Sequence, residues 1–360
     1  MRKFLVVSFT SGQKYTGGLQ CSKRNYESIV ALVGTENVEH YIITPYKDIN
    51  QFSTKLKRIS DIFYGSMGGL DRNKTNEIID IISSKGISDL FIDSSLLGLL
   101  AKRVKKRFPN IRITTFFHNF EKGFVDDFIK INRDYLRLYW VILAERNERA
   151  AIKYSDKIIS LNNRDSKAIE EYYGRKPDIL IPITLKSKEI VFDNEASTNK
   201  EALFIGSYFF GNVQGIKWFC NEVLPYVNVH LTIVGASMDK LLNEVPKSDK
   251  LTILSDVPDL TPIYNTADFI VLPILSGSGM KVKTAESLMH GKYILGTDEA
   301  FRGYEITEKE GKRCNTSEEF INAINELNLP YKFNISSRQL FEKKYSFESS
   351  LNSFSDLLNI

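Results

Sequence analysis

Cysteine is scarce in these 360 residues, and Cys21, Cys220 and Cys314 stand far apart. With no CxxC pair and no Cys/His grouping at metal spacing, neither a disulfide framework nor a zinc module is expected; reduced thiols in a cytoplasmic protein are. Long apolar runs are missing as well, and nothing approaches the ~20 residues of a membrane-spanning helix. The apolar run Phe4 to Phe9 behind Arg2 and Lys3 is too short for a signal peptide and lacks a small-residue cleavage site. It reads as a first strand. Low-complexity tracts and internal repeats are absent. The basic residues carry no interleaved aromatic platform, which speaks against single-stranded nucleic acid. No GxGxxG fingerprint occurs, which argues against a nicotinamide enzyme.

What is present is ordinary globular composition, 42% apolar and 26% charged, in a chain long enough for two cores. Short apolar runs alternate with amphipathic stretches almost from end to end. In the first half, strands are expected near 4–9, 40–44, 89–93, 112–117, 157–161 and 179–183, with helices over 74–84 and 132–153. The alternation restarts at 202–205, 230–234, 251–254, 269–272 and 293–295. Such a pattern predicts an α/β protein of two doubly wound parallel sheets with a cleft, and ligands at the carboxyl ends of strands. The expected boundaries are a first domain at 1–185, a polar linker at 186–200, a second domain at 201–340, and a closing segment at 341–360. Net charge is only +4, yet residues 1–185 hold 30 Lys and Arg against 21 Asp and Glu. The sharpest cluster, Lys102, Arg103, Lys105, Lys106 and Arg107, follows the apolar run 96–100. It reads either as a helix resting on anionic lipid at the inner membrane face or as a solvated helix end.

Three strand-end loops could carry chemistry. After the strand 269–272 comes a turn with Gly277, Ser278, Gly279 and Met280, then a helical pattern holding Lys281, Lys283, Thr284 and Glu286. A glycine-rich turn opening a helix presents N–H groups to a diphosphate, and two lysines add charge there. Glu286 leans back toward the loop, where it can accept hydrogen bonds from sugar or ribose hydroxyls. Gly17 and Gly18, ahead of the first helix, would let backbone approach a phosphate or sugar. His118 and Asn119 close a buried-looking strand where a cleft should lie.

Together these residues resemble the GT-B glycosyltransferases, specifically the retaining enzymes of glycosyltransferase family 4. The likeness is sharpest in the second half: the opening strand, loop and helix with Gly206, Ser207, Asn212, Trp218 and Pro225, then Gly235, the segment with Val257 and Pro258, and the stretch Gly277 to Gly291. The resemblance implies two Rossmann-like domains and a closing helix that returns to the first of them. It implies that Gly18 approaches the donor phosphates, that His118 contacts the transferred sugar, and that Val257 and Pro258 flank the nucleobase. Glu286 matches the second glutamate of the family's pair, which holds the ribose. The first glutamate of that pair falls at Ser278, and the loop after Ser207 lacks the family's Arg and Lys. Lys281 or Lys283 is therefore expected to serve the phosphates.

The expected activity is transfer of a hexose-type sugar, with retention, from a nucleotide sugar with uridine as the expected nucleoside. The expected acceptor is a glycan or lipid-linked glycan of a bacterial surface-polysaccharide pathway. No tightly bound cofactor and no metal requirement are expected. Two alternatives stand beside this: a catalytically silent GT-B subunit supporting a partner transferase, for which the Ser278 departure speaks, and a protein-directed transferase.

Overall fold

The computed structural model describes residues 2–9, 17–44, 64–65, 69–190, 195–277 and 279–360. Two compact units are present: residues 1–182 with 350–360, and residues 183–349.

The first unit holds β1 (Phe4–Phe9), β2 (Val38–Ile43), β3 (Asp89–Ile92), β4 (Arg112–Phe117), β5 (Lys157–Ser160) and β6 (Ile179–Leu180). They form one sheet in the order β2-β1-β3-β4-β5-β6, with every pairing parallel. β3 is buried along its whole length, as expected of a strand covered by helices on both faces. Its core joins Leu5, Val7, Leu90 and Ile92 to Ile78, Ile82, Leu100 and Val104 from the flanking helices. Local signals fix helix ends. Asp71 caps the Arg72–Lys85 helix by accepting from the Lys74 N–H at 2.8 Å, and Gly86 ends it in the left-handed region. The closing segment from Ser350 belongs to this unit, where Phe354 meets Phe91 at 6.2 Å between ring centroids.

One helix departs from expectation. In place of a continuous 132–153 stretch, the Glu121–Asn132 helix ends on Arg133 at φ 54°, and a 3-10 turn at Tyr135–Arg137 leads into a new helix, Leu138–Tyr154. The left-handed backbone at Arg133 breaks the ladder although no glycine or proline marks the place.

The second unit holds β7 (Glu201–Ile205), β8 (His230–Gly235), β9 (Leu251–Ser255), β10 (Phe269–Leu272), β11 (Tyr293–Gly296) and β12 (Gly311–Arg313). Their order is β12-β11-β10-β7-β8-β9, again all parallel. β12 is a three-residue edge strand that the apolar pattern does not reveal. The polar stretch at 195–200 is anchored: buried Asp268 accepts from the Ser197 and Thr198 hydroxyls at 3.0 Å each and from the Lys200 and Glu201 N–H groups at 2.9 and 3.0 Å. Burial would raise its pKa, but these hydrogen bonds outweigh it and hold the carboxyl below its ordinary range. Among the described residues no helix is long and apolar enough to cross a membrane.

Candidate nucleotide-sugar site

In the second sheet the chain runs outward from β7 through β8 to β9, then returns to lay β10 on the other side of β7. The reversal point is therefore between β7 and β10, where doubly wound sheets bind ligands at their carboxyl edge. The loops that leave these two strands carry Gly206 and Ser207 on one side and the turn from Gly277 to Lys281 on the other.

The turn is shaped by Gly277 at φ 149° and Gly279 at φ 63°, the latter in the left-handed region that favours glycine. Ser278 lies outside the described residues. The chain then enters the Val282–Met289 helix, whose N-cap, Lys281, provides no side-chain cap. The Thr284 N–H already donates to the Lys281 carbonyl at 3.0 Å, and the N–H groups of Val282 and Lys283 are the donors this helix start presents.

The two lysines have different surroundings. Lys281 donates to the Gly279 carbonyl at 2.9 Å and to Glu299 at 2.7 Å, and Glu299 also pairs with Arg302. Its charge is spent inside the protein. Lys283 instead donates to the Asn212 side-chain oxygen and lies 4.7 Å from the Phe204 ring centroid, with no ion pair among the described residues. Asn212 is itself fixed by donating to the Ser207 carbonyl at 2.8 Å. Gly206 leaves room for both: a Cβ there would sit 2.9 Å from the Lys283 Nζ and from the Asn212 Nδ2. Burial, reinforced by the nearby Lys281 charge and opposed by Glu286, brings the Lys283 pKa down to about 7.

Glu286 is half-buried, and its carboxylate makes no hydrogen bond or ion pair among the described residues. Burial raises its pKa, and the Lys283 and Lys188 charges oppose that rise. Beside it, the buried Tyr264 and His290 rings stack at 3.9 Å between centroids, 5° from parallel. Among the described residues His290 Nδ1 has no hydrogen-bond partner, and the Tyr264 hydroxyl has Ser287 beside it. Burial, with Lys188, Lys292 and Arg338 adding to it, pulls His290 down to about 4, so this imidazole is neutral. Thr284 is buried, and its hydroxyl donates to the Ala300 carbonyl at 2.7 Å. Met280 is buried too. Val257, half-buried, and Pro258, exposed, follow β9. β9 stands three strands from β10, about 14 Å at the usual spacing, a separation that suits a base at one end of a nucleotide and phosphates at the other.

The first unit has its own strand-end cluster. Gly17 opens the Gly17–Val33 helix, and a Cβ on Gly18 would meet nothing within 4 Å. His118 follows β4, with Nε2 at 2.9 Å from the Asp93 carbonyl and 3.4 Å from its carboxylate. Asn25 donates to that carboxylate at 2.6 Å, and Arg24 donates to the Cys21 sulfur at 3.3 Å. Burial pulls His118 toward neutrality, but Asp93 and Cys21 outweigh it and raise its pKa well above 6.5. Burial likewise favours the neutral Cys21 thiol, while Arg24 and His118 outweigh that and lower its pKa. All three cysteines are free and buried. Of the basic cluster, Lys105 is held by Asp156 at 2.9 Å and by the Ile111 carbonyl at 2.8 Å. Arg103 binds the Tyr64 carbonyl at 2.7 Å and covers its ring. Lys106 and Arg107 are exposed and Lys102 is half-buried. No three His, Cys, Asp or Glu side chains among the described residues are grouped to hold a metal ion.

Residues 199–328, the part of the chain that bears the β7 and β10 loops, match the family model described as glycosyl transferases group 1. The second unit is a glycosyltransferase domain. The fold of the chain is that of the GT-B glycosyltransferases. It is similar to the apo lipopolysaccharide outer core galactosyltransferase WaaB, at 10% identity over 99% of both chains with a TM-score of 0.67. It is similar to TarM, at 10% identity over 100% of this chain and 99% of that one, TM-score 0.65. It is also similar to Anabaena HepE in complex with UDP and glucose, at 10% identity over 99% and 100%, TM-score 0.60. At such identities the likeness speaks to fold. A curated relative, the "Uncharacterized 44.6 kDa protein in cps region" of Klebsiella pneumoniae, is 25% identical over 143 residues. That match covers 36% of this chain and spans only 35% of the relative's length.

Asn212, Lys283 and Glu286, expected from sequence, thus gather on one glycosyltransferase domain. Glu299, which takes up Lys281, and the Tyr264–His290 stack were not expected there. Neither were Cys21, Arg24 and Asp93 around His118, since no local spacing links residues that meet only when β1, β3 and β4 align.

Proposed function

We propose that this protein is a retaining glycosyltransferase that moves a hexose-type sugar from a UDP-sugar to a glycan or lipid-linked glycan acceptor. The observation that carries the reading is Lys283, an amine with no carboxylate partner among the described residues, held by Asn212 at the point where the strand order reverses. HepE binds UDP and glucose on the same fold, which supports uridine as the nucleoside.

In this reading the diphosphate sits against the Val282–Met289 helix start and Lys283, while Glu286 accepts hydrogen bonds from the ribose and Val257 and Pro258 flank the base. Within the first unit, Gly17, Gly18 and His118 are the groups that the family resemblance assigns to sugar and phosphate recognition. As the bond from the sugar's anomeric carbon to the diphosphate oxygen breaks, charge builds on the leaving oxygen, and prearranged N–H groups and Lys283 stabilise it. Glu299 is held by two cations and Glu286 lies inside the helix, so neither is given the role of nucleophile. The acceptor hydroxyl attacks from the leaving-group face, its oxygen bonds the anomeric carbon, and its proton passes to the departing phosphate. Contact with an anionic membrane face, where lipid-linked acceptors are met, belongs to the same reading.

A thermal-shift comparison of UDP, GDP, ADP and dTDP tests it, because ligands that bind only the folded state raise its apparent stability. UDP is expected to give the largest shift. An equal response to all four would remove the uridine assignment, and no response would favour the silent-subunit alternative.

A further inference from the structure

The helices Glu121–Asn132 and Leu138–Tyr154 pack together in the first unit and turn an unusual face outward. Tyr135, Leu138, Tyr139 and Ile142 recur at the i, i+3, i+4, i+7 spacing of one helical stripe, and Phe124 faces out from the neighbouring helix. These side chains are exposed, Ile142 at 66% and Tyr135 at 59%. The opposite side of the Leu138–Tyr154 helix is spent on the core through Leu143, Ala144, Ala150 and Ala151, so the outward stripe is not needed for packing.

Residues 121–149 balance six Lys and Arg against six Asp and Glu, but the fully exposed charge beside this stripe is mostly positive. Between residues 121 and 149 the exposed charged residues are Lys130, Arg133, Arg137, Arg146 and Arg149 against Asp127 alone. Three of these cations are ion-paired, and in each pair the cation is the more exposed partner. Side-chain exposure is 64% against 27% for Lys130–Asp126, 44% against 31% for Arg137–Asp134, and 56% against 29% for Arg149–Glu145. Apolar and aromatic side chains rimmed by exposed cations are what an anionic bilayer surface accepts, with Tyr and Trp at headgroup depth.

We propose that the Phe124 to Arg149 face is the membrane-docking surface of the protein, seated on anionic lipid. It relocates the contact from the Lys102 to Arg107 cluster, whose neighbouring apolar side chains Leu97, Leu99 and Leu100 are buried in the core. It deepens the proposed membrane contact and does not depend on the transferase reading.

The chain contains two tryptophans, Trp140, half-buried and turned away from the stripe on the Leu138–Tyr154 helix, and Trp218 in the second unit. Trp140→Phe with Trp218→Phe and Tyr139→Trp therefore leaves a single reporter, set in the stripe. Its emission is expected to shift to the blue on titration with vesicles of phosphatidylglycerol in phosphatidylcholine, and to stay put with phosphatidylcholine alone. Leu138→Asp with Ile142→Asp should abolish the shift. Arg137→Glu should weaken vesicle affinity at least about fivefold, the worth of one basic side chain near an anionic surface. Lys102→Glu with Lys106→Glu should change it little. All these positions are exposed or half-buried, and an unchanged melting temperature and UDP response will show that each variant folds. No blue shift with anionic vesicles, an equal shift with phosphatidylcholine, or a wild-type dimer that Ile142→Asp dissociates would each overturn the proposal. Loss of the UDP response with vesicle binding intact would instead count against the transferase reading alone.

Discussion

Proton uptake on nucleotide binding is the sharpest consequence of the Lys283 environment. In the empty site its pKa is about 7, against about 10.4 for an ordinary lysine. A diphosphate at the Nζ favours the charged form and returns the pKa toward the ordinary value. The sign follows directly: below pH 7 the lysine is already charged and binding takes up little, whereas above it the neutral amine must first be protonated. From the two pKa values, UDP binding should take up about 0.1 proton at pH 6, about 0.5 at pH 7 and about 0.9 at pH 8. UDP affinity should then fall up to about tenfold from pH 8 to pH 9, a window in which the terminal phosphate, with its second pKa near 6, no longer titrates. Calorimetric titrations in two buffers of different ionisation enthalpy read the uptake directly. Lys283→Ala should remove the uptake at pH 8 and weaken binding about 10- to 150-fold, the value of a charge-assisted hydrogen bond of about 1.5–3 kcal/mol. An uptake near zero at pH 8 in the wild-type protein, with UDP still bound tightly, would refute Lys283 as the phosphate ligand.

Glu286→Ala should weaken UDP binding about tenfold by calorimetry, about 1.4 kcal/mol for hydrogen bonds to the ribose, and unchanged affinity and turnover would remove that assignment. Gly206→Ala places a Cβ 2.9 Å from the Lys283 and Asn212 side chains, so it should lower UDP affinity while leaving the urea midpoint nearly unchanged. By contrast, Gly215→Ala drives a Cβ to 1.7 Å from the Pro273 carbonyl and should cost about 1–3 kcal/mol of stability, read from urea unfolding of the second unit. His118→Ala should lower turnover of a UDP-sugar far more than UDP affinity; equal losses in both would place His118 on the nucleotide instead.

Repeating apolar runs made both parallel sheets legible, because strands buried on both faces are continuous in sequence. The phosphate turn was legible for a related reason: Gly277, Gly279, Lys283 and Glu286 are close along the chain, so helix geometry alone groups them. Partners from distant segments were not. That Glu299 occupies Lys281, while Lys283 meets no carboxylate among the described residues, depends on the loop after β11 folding back across the turn. Asn212 was expected at the site, but its role as the side chain that holds Lys283 emerges only when β7 and β10 lie side by side. The charged surroundings of His118 likewise need Cys21 and Asp93 from separate elements. The break at Arg133 escaped notice because arginine carries no turn signal, and that break separates the two helices whose outer faces hold the exposed stripe.

The central claim is sugar transfer with retention, and a proton NMR time course of the purified chain with UDP-hexose and a glycan acceptor tests it most directly. UDP release should be coupled to a product whose anomeric coupling constant matches that of the donor, with both signals lost in Lys283→Ala. A product of inverted configuration would contradict the front-face mechanism. Turnover that persists undiminished in Lys283→Ala would contradict the assignment of the site itself.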